Sequence, residues 1–411
     1  MRSPRCSAAP SIWTTWAPNL SPRVFGLAIT RLRYLQRVTN YRRAWLWSGL
    51  AVVVIALALD LTHRPPHVGI DFHTYLAAAA VGLQQGWSHI YDQALVAVEQ
   101  KHLVPSQWSQ PFLSPPTVAW LAAPLTAFPY WTAYSIWAIS TFLVFAAALA
   151  WSGASAGVIR WIAVIGALSP WWVPYAMFLG QVVPLVAAGM VVAWRLLRKD
   201  QDLAAGLVLS VIFLKPNTAI LVPVALLAAG RYRVFASWLG AGGVLAIIAF
   251  IVLGPPSVSA YLHQLLAPLP SGADALTLKG AIGATGFVAA VLRLLIVGMV
   301  IATAFRLRGS PNLVMPVGIV GSLVVAPYLH GSDLCLLAVA AWMVWEERPT
   351  VPWRVALTAG WVLGSPFLLL TSTGPALNRW PLIECILLIA LVVTAWRPLT
   401  STADLRTRAP A

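Results

Sequence analysis

The sequence predicts an all-α membrane protein that crosses the bilayer many times. Of its 411 residues, 59% are hydrophobic and only 9% are charged, whereas a soluble domain carries about 25% charged residues. Apolar stretches of about 20 residues, long enough to cross the bilayer as helices, recur along the chain. The short alternating segments of a transmembrane β-barrel are absent. These observations favour a polytopic helical bundle with about 11 to 13 membrane helices or half-helices.

The net charge of +15 suggests nucleic acid at first sight, but the distribution of arginine argues against such a partner. The arginines lie in short clusters between apolar stretches, as the positive-inside rule requires. The three cysteines are too few and too scattered for a disulfide framework or a zinc site. We expect no cleaved signal peptide, and the first apolar segment then acts as an uncleaved anchor.

The same rule predicts the domain organisation. We expect residues 1–43 to be a disordered cytoplasmic segment, 44–396 the membrane domain and 397–411 a cytoplasmic tail. Within the membrane domain, 62–111 and 254–285 are predicted external loops. The cytoplasmic arginine and lysine clusters lie at 31–43, 195–199, 231–233, 306–308 and 348–354.

The predicted spans follow from the apolar stretches between these clusters. They are 44–61, 112–128, 131–151, 157–173, 178–197, a broken pair over 203–229, then 234–253, 286–305, 312–328, 333–346, 353–371 and 382–396. The stretch 112–128 contains Pro115, Pro116 and Pro124, which break helices. It is therefore expected to be tilted or re-entrant rather than a full crossing.

Five polar residues are unusual in so apolar a chain, and the predicted topology places all of them near the outer membrane boundary. Asp71 follows the first span, Gln181 begins a later one, and His330 and Asp333 lie together in "APYLHGSD". Lys215 follows an apolar arm whose dozen residues lift it roughly 18 Å into the membrane. Because ionisable residues inside a membrane are costly, these five are candidates for one functional cavity.

Each candidate also has a structural interpretation. Asp71 could be the N-cap of a helix that starts at Phe72 and ends at Gly86, and Asp333 could cap a helix starting at Leu334. Gln181 could join helices, Lys215 could extend to the interface, and His330 could be a hydrogen-bonded structural histidine.

Two further ionisable residues, Arg293 and Glu384, lie inside predicted spans, where a structural ion pair between helices is expected. No Gly-rich phosphate loop, metal-ligand spacing or serine nucleophile motif occurs in the sequence.

The order of several motifs resembles glycosyltransferase family 87. They are "GIDFHTYLAAA", "IYD", "PFLSPPTVAWLAAPLTAFPYWTAYSIWAI", "GQVVPLVAAGMVVAW", "AAGLVLSVIFLKPNTAILVPVALLAAGRYR" and "APYLHGSD". The resemblance covers about residues 44–396. It implies a GT-C fold and an integral membrane enzyme that uses a polyprenyl-phosphate-linked sugar, as mannosyltransferases of the family do.

The resemblance also implies roles for individual residues. The acidic residue of the family's first external loop, its catalytic base, corresponds to Asp71, and the matching aromatic residue is Tyr75. Gln181, Lys215 and His330 correspond to further family motifs. With Asp333, their neighbour in the predicted cavity, they complete a substrate-binding set. The chain departs from the family at Val183, Tyr328 and "LTLKGAIG", which leaves the sugar and the acceptor open.

The expected function is transfer of a hexose, with mannose favoured, to a glycolipid or polysaccharide acceptor on the outer face of the plasma membrane. Lys215 and His330 would stabilise the leaving phosphate. One carboxylate suffices for an inverting transfer, and without a second acidic residue beside Asp71 we expect no metal cofactor. A transporter or flippase of lipid-linked sugars is the alternative, although no second broken helix indicates an internal repeat. An accessory subunit is a third possibility, and the oligomeric state is open.

Overall fold

The computed structural model describes residues 40–41, 43–59, 62, 67–153, 156–266, 276–347, 349–364 and 380–396. Within these residues, all regular structure is helical. The predicted tail 397–411 and the predicted N-terminal segment up to residue 39 lie outside them. The chain divides into two units, residues 1–51 and 52–411. The described residues of the first unit are helical, and the packing below is that of the second.

The helices alternate with short 3-10 turns. They are α1 (Arg43–Leu59), α2 (Ile70–Gln85), α3 (Gln93–Leu103), α4 (Pro116–Ala122), α5 (Tyr130–Ser152), α6 (Gly157–Leu168), α7 (Trp172–Leu179), α8 (Val183–Leu197), α9 (Asp202–Leu209), α10 (Leu221–Ala228), α11 (Tyr232–Leu266), α12 (Leu278–Ile282), α13 (Gly286–Arg306), α14 (Val314–Val325), α15 (Cys335–Glu346), α16 (Val351–Leu363) and α17 (Trp380–Trp396).

The lengths and hydropathy of these helices fit a multi-pass membrane protein. In the described part of the chain, α5, α11 and α13 are long and apolar enough to cross a membrane. A fourth crossing is formed if α6 and α7, which meet at a bend of 64°, make one span. Shorter apolar helices accompany them, among them α1, α8 and α14. The chain is therefore a polytopic helical membrane protein.

Prolines break the predicted span 112–128. Only α4 and a 3-10 turn over Ala123–Ala127 form in this stretch. The seven residues of α4 rise about 10 Å, whereas a crossing needs about 30 Å. Pro116 starts α4, where a missing N–H costs nothing, and Pro124 enters the 3-10 turn.

Two predicted boundaries between spans are wrong. The predicted helices 157–173 and 178–197 are divided differently, because the chain bends between Leu168 and Trp172 and breaks again after Leu179. At the second break Gly180 has φ +72°, a left-handed conformation that ends a helix. Gln181 therefore lies in an irregular segment between α7 and α8.

The predicted external loop 254–285 begins as helix. α11 kinks at Gly254, whose φ of 75° and ψ of 164° are not helical, and continues to Leu266. Pro255 and Pro256 directly follow the kink. Proline is well tolerated in the first turn of a helix, so the two prolines start a second helical segment instead of ending structure.

The interior consists of two apolar clusters. The larger one lies among α5, α8, α10, α14 and α15, and the smaller one lies among α2, α3, α4 and the start of α5. Val182, which follows Gln181, is buried in the smaller cluster, while Leu214, which precedes Lys215, packs against both. The two polar residues are thus held where the clusters meet.

Candidate active site

Asp71 lies in the first turn of α2, which begins at Ile70, two residues earlier than the N-cap interpretation requires. The N-cap is Gly69, with φ +78° and no side-chain cap hydrogen bond. The N-cap interpretation of Asp71 is therefore wrong, although Gly86 does end the helix as expected. Instead, Oδ2 of Asp71 accepts a 2.6 Å hydrogen bond from Nε2 of Gln181.

Backbone contacts hold the start of α2 against the end of α7. The amide of Gly69 donates to the carbonyl of Phe178 at 2.7 Å, and the hydroxyl of Tyr130 donates to the Gly69 carbonyl at 2.8 Å. A Cβ on Gly180 would lie 2.5 Å from the Cβ of Phe72, so this approach requires glycine. Asp71 and Gln181, which flank these contacts, are positioned together.

Gln181 is the centre of the site. While its Nε2 donates to Asp71, its Oε1 accepts from the Tyr75 hydroxyl and from Nζ of Lys215, each at 3.1 Å. The reverse orientation of the amide would set its NH₂ group against the Lys215 ammonium and its oxygen against the carboxylate. The amide therefore separates a carboxylate from a cation while bonding to both.

Lys215 lies at the tip of the α9–α10 hairpin. Its φ of −154° and ψ of 76° are not helical, as expected for a residue that precedes proline. Its Nζ lies 2.6 Å from Oδ1 of Asp333, and the exposed fractions of the two side chains are 11% and 0%. This buried ion pair joins the hairpin to the segment before α15.

Asp333 also stabilises the turn that displays His330. Its Oδ2 accepts from the backbone N–H of His330 at 2.8 Å, at the start of the 3-10 turn Gly331–Leu334. The predicted cap of a helix at Leu334 is thus wrong in its position, since α15 starts at Cys335. The His330 residue is exposed, and its ring lies edge-on to Tyr328 with 6.2 Å between centroids.

The electrostatic environment raises the pKa of Asp71 above its ordinary value, and burial is the cause. His330, Lys215 and the hydrogen bond from Gln181 act in the opposite direction, but burial dominates. Burial and Asp71 together raise the pKa of Tyr75. The Tyr75 phenol therefore stays a hydrogen-bond donor to Gln181, and Asp71 is the more basic carboxylate that proton transfer needs.

The structure brings the six predicted site residues into one connected group. Asp71, Tyr75 and Lys215 each bond to Gln181. Lys215 pairs with Asp333, and His330 joins through its backbone N–H to Asp333. Their roles in catalysis and substrate binding stay predictions. Among the described residues, no group of three or more His, Cys, Asp or Glu side chains could hold a metal ion, and metal independence is likewise untested.

The sequence analysis did not identify Asn217 as a neighbour of the site, and its expected ion pair between Arg293 and Glu384 was wrong. Asn217 donates from Nδ2 to the Tyr328 carbonyl at 3.3 Å, while its Oδ1 is buried without a partner. Its place two residues after Lys215 was the available signal. The expected ion pair between Arg293 and Glu384 does not form, and neither Nε of Arg293 nor either Glu384 oxygen has a hydrogen-bond partner.

Comparison with known families identifies the family of this chain. The family model of glycosyltransferase family 87 matches residues 112–373, which is more than half of the chain. The chain belongs to glycosyltransferase family 87. It is therefore a membrane glycosyltransferase, which uses a sugar donor and an acceptor.

The matched region of the family includes four of the six site residues, Gln181, Lys215, His330 and Asp333. Asp71 and Tyr75 precede it, so their place in the site rests on the hydrogen bonds to Gln181. No curated protein and no solved structure matches the chain.

Proposed function

We propose that this member of family 87 transfers a hexose, mannose in the first instance, from a polyprenyl-phosphate-linked donor to a hydroxyl group of a lipid- or polysaccharide-linked acceptor. The transfer inverts the anomeric centre, and Asp71 is the general base. The observation that carries this proposal is the pairing of a half-buried carboxylate with a largely buried ammonium on either side of the Gln181 amide.

The carboxylate serves the acceptor. As the acceptor oxygen bonds to the anomeric carbon, its proton passes to Asp71, and the bond from the anomeric carbon to the phosphate oxygen breaks. The electron pair of that bond leaves with the polyprenyl phosphate. A single base suffices for this displacement, and the raised pKa of Asp71 increases its affinity for the proton.

The cations serve the phosphate. Lys215 is buried and fixed by two oxygen partners, and the exposed His330 lies near enough to act electrostatically on Asp71. Charge that develops on a leaving phosphate is stabilised by such pre-positioned donors. The exposed apolar side chains of the surrounding helices suit a donor whose tail stays in the bilayer.

The proposed location is the outer face of the plasma membrane. The arginine clusters at 195–199 and 231–233 mark the cytoplasmic ends of α8 and α10. Gln181 precedes the opposite end of α8, and Lys215 precedes that of α10. A lipid-linked donor presented on the outer leaflet reaches such a site, whereas a cytosolic nucleotide sugar does not.

The direct test is transfer by the purified protein. Radiolabelled polyprenyl-phosphate-mannose and a membrane lipid extract are incubated with the wild type, with Asp71→Asn and with Asp92→Asn. Asp92 is a matched control on the same predicted loop, because it caps α3 by accepting from Ala94 and Leu95, and Asn caps equally well. We expect wild-type turnover in Asp92→Asn and a loss of about 10²–10⁴-fold in Asp71→Asn.

Wild-type turnover in Asp71→Asn would remove the base assignment. Donor movement across vesicles without any transfer product would instead favour the flippase alternative.

The location is tested by accessibility. Single cysteines at Ser106 and Gln201, both exposed positions, are introduced after Cys6, Cys335 and Cys385 are replaced. An impermeant thiol reagent on intact cells should label position 106, and position 201 only after lysis. The opposite pattern would place the site on the cytoplasmic side and exclude the proposed donor.

A further inference from the structure

Glu384 is a buried carboxyl group without a hydrogen-bond partner among the residues that the structure describes. It lies in the second turn of α17, and its exposed fraction is 0%. Among the described residues, neither of its oxygens has a hydrogen-bond partner and no ion pair includes it. A buried polar group without a partner has lost its hydrogen bonds to water and gained none in return, which is unfavourable inside a membrane protein.

The position of Glu384 relates it to the candidate active site. α17 packs against α12, α13 and α14, and α14 leads directly into the segment that holds His330 and Asp333. Asp333 acts electrostatically on Glu384. The carboxyl group therefore lies within electrostatic range of Asp333, on a helix that packs against α14 and that the mechanism above does not use.

The surroundings select the kind of ligand. Burial and the neighbouring Asp333 charge both disfavour a second negative charge here, so the neutral carboxyl group is the better-tolerated form. A neutral carboxyl group offers one hydrogen-bond donor and an acceptor oxygen, and a sugar hydroxyl offers the same combination. A phosphate is disfavoured here, because among the described groups the one that acts electrostatically on Glu384 is the acidic Asp333.

We propose that Glu384 is a substrate-binding residue that hydrogen-bonds a hydroxyl group of a sugar. The inference rests on the proposed function, because that function brings a sugar to Lys215 and Asp333. The hydroxyl belongs either to the hexose of the donor or to the acceptor, and the experiment separates these sources.

The test compares Glu384→Met, Glu384→Gln and the control Ile386→Met. Methionine keeps the length of the side chain but removes both hydrogen-bonding functions, whereas glutamine keeps a donor and an acceptor. Ile386 lies two residues further along α17, with an exposed fraction of 64%. We expect Glu384→Met to raise the KM of one substrate about tenfold, Glu384→Gln to retain most of the affinity, and Ile386→Met to match the wild type.

The thermal stability of the substrate-free protein is an independent measurement, and it should increase in the variant that loses substrate affinity. Since Glu384→Met removes an unsatisfied buried polar group, the substrate-free variant should unfold at a higher temperature than the wild type. A residue whose role is structural would lower that temperature when replaced. Lower stability together with unchanged KM values would overturn the proposal.

To test whether the hydroxyl belongs to the donor, the rise in unfolding temperature is measured with two ligands, polyprenyl-phosphate-mannose and polyprenyl phosphate without the sugar. The difference between the two shifts measures binding of the donor hexose. If Glu384→Met abolishes that difference, the hydroxyl belongs to the donor. If the difference persists and the KM of the acceptor rises, the hydroxyl belongs to the acceptor. If neither changes, Glu384 does not bind sugar.

Two further outcomes keep the proposals distinguishable. A wild type that binds the hexose but never transfers it, with binding lost in Glu384→Met, would overturn the transferase proposal and support this one. An Arg293→Met variant should bind sugar like the wild type. The same loss in Arg293→Met would show that Glu384 serves as the ionic partner of Arg293, and would overturn the assignment.

Discussion

The α9–α10 hairpin carries an ion cluster at each end, and the two differ in burial. At its base, Arg231 lies 3.2 Å from Asp200 and 3.1 Å from Asp202, and the Asp200 side chain is 83% exposed. At its tip, Lys215 and Asp333 are 2.6 Å apart and almost fully buried. Exposed pairs contribute little to stability, whereas buried pairs lose the solvation of both charges. Because burial of the charges at the tip is unfavourable, a functional role explains them better than a stabilising one.

The largest expected effect breaks the buried pair. Lys215→Met leaves the Asp333 carboxylate buried without its cation, which should lower the free energy of unfolding by about 3–5 kcal/mol. Affinity for the phosphate-bearing donor should fall as well. The thermal midpoint and donor binding in detergent or nanodiscs measure the two effects.

The double variant Lys215→Met/Asp333→Leu separates them, because removing both charges should restore stability but not donor binding. A double variant that binds donor like the wild type would return Lys215 to a structural role.

A smaller effect is expected at the amide that links the two sides of the site. Gln181→Leu removes one donor and one acceptor that Asp71, Tyr75 and Lys215 use. It should therefore cost about 1–3 kcal/mol and shift the pH dependence of turnover. Gln100→Leu is the matched control, since this buried amide bonds only to the backbone of Gln110. Equal pH profiles in the two variants would show that Gln181 does not position the base.

The pH dependence of turnover and of stability tests the role of Asp71 separately from the other site residues. Because burial raises its pKa, the proton-accepting form is lost as pH falls through a midpoint above that of an ordinary aspartate, and turnover should fall with it. In the same window the native state binds more protons than the unfolded state, so the stability contribution of Asp71 rises as pH falls. Subtracting the Asp71→Asn profile of thermal midpoints isolates this term. A rate that is flat through the window would exclude Asp71 as the base.

The smallest expected effect concerns the base of the hairpin. Arg231→Gln should change the free energy of unfolding by no more than about 1 kcal/mol and leave turnover unchanged, because its partner Asp200 is solvated and Asp202 keeps some exposure. Thermal midpoints at low and high salt check this expectation. A loss comparable to that of Lys215→Met would remove the distinction between the two clusters.

Sequence reasoning reached the membrane bundle and the grouping of site residues for one physical reason. In a chain with 12 acidic residues, a charged residue between apolar stretches is conspicuous. Placing it in the membrane is energetically unfavourable, which indicates a functional role. The break of the hairpin at Lys215 was equally local, since Pro216 constrains the residue before it.

What the sequence could not provide depends on contacts between distant residues. The start of α2 is fixed by bonds of Gly69 to Phe178 and Tyr130, which no local capping rule contains. The boundary between α7 and α8 depends on the close approach of Gly180 to Phe72. The expected ion pair between Arg293 and Glu384 was based on charge alone. Whether two such side chains meet depends on which faces of their helices pack together, and the sequence does not specify this.

The joint between α2 and α7 has a consequence for motion during a catalytic cycle. Gly69 and Gly180, both left-handed, are bound to neighbouring aromatic residues and carbonyls, so Asp71 and Gln181 move as one body. Lys215 and His330 lie on other elements, a hairpin tip and an exposed segment, and the 3.1 Å bond from Lys215 to Gln181 joins the first of these to the amide. Any opening that admits substrate or releases product must therefore keep the base and the amide in register, because the start of α2 and the end of α7 are joined through their backbones.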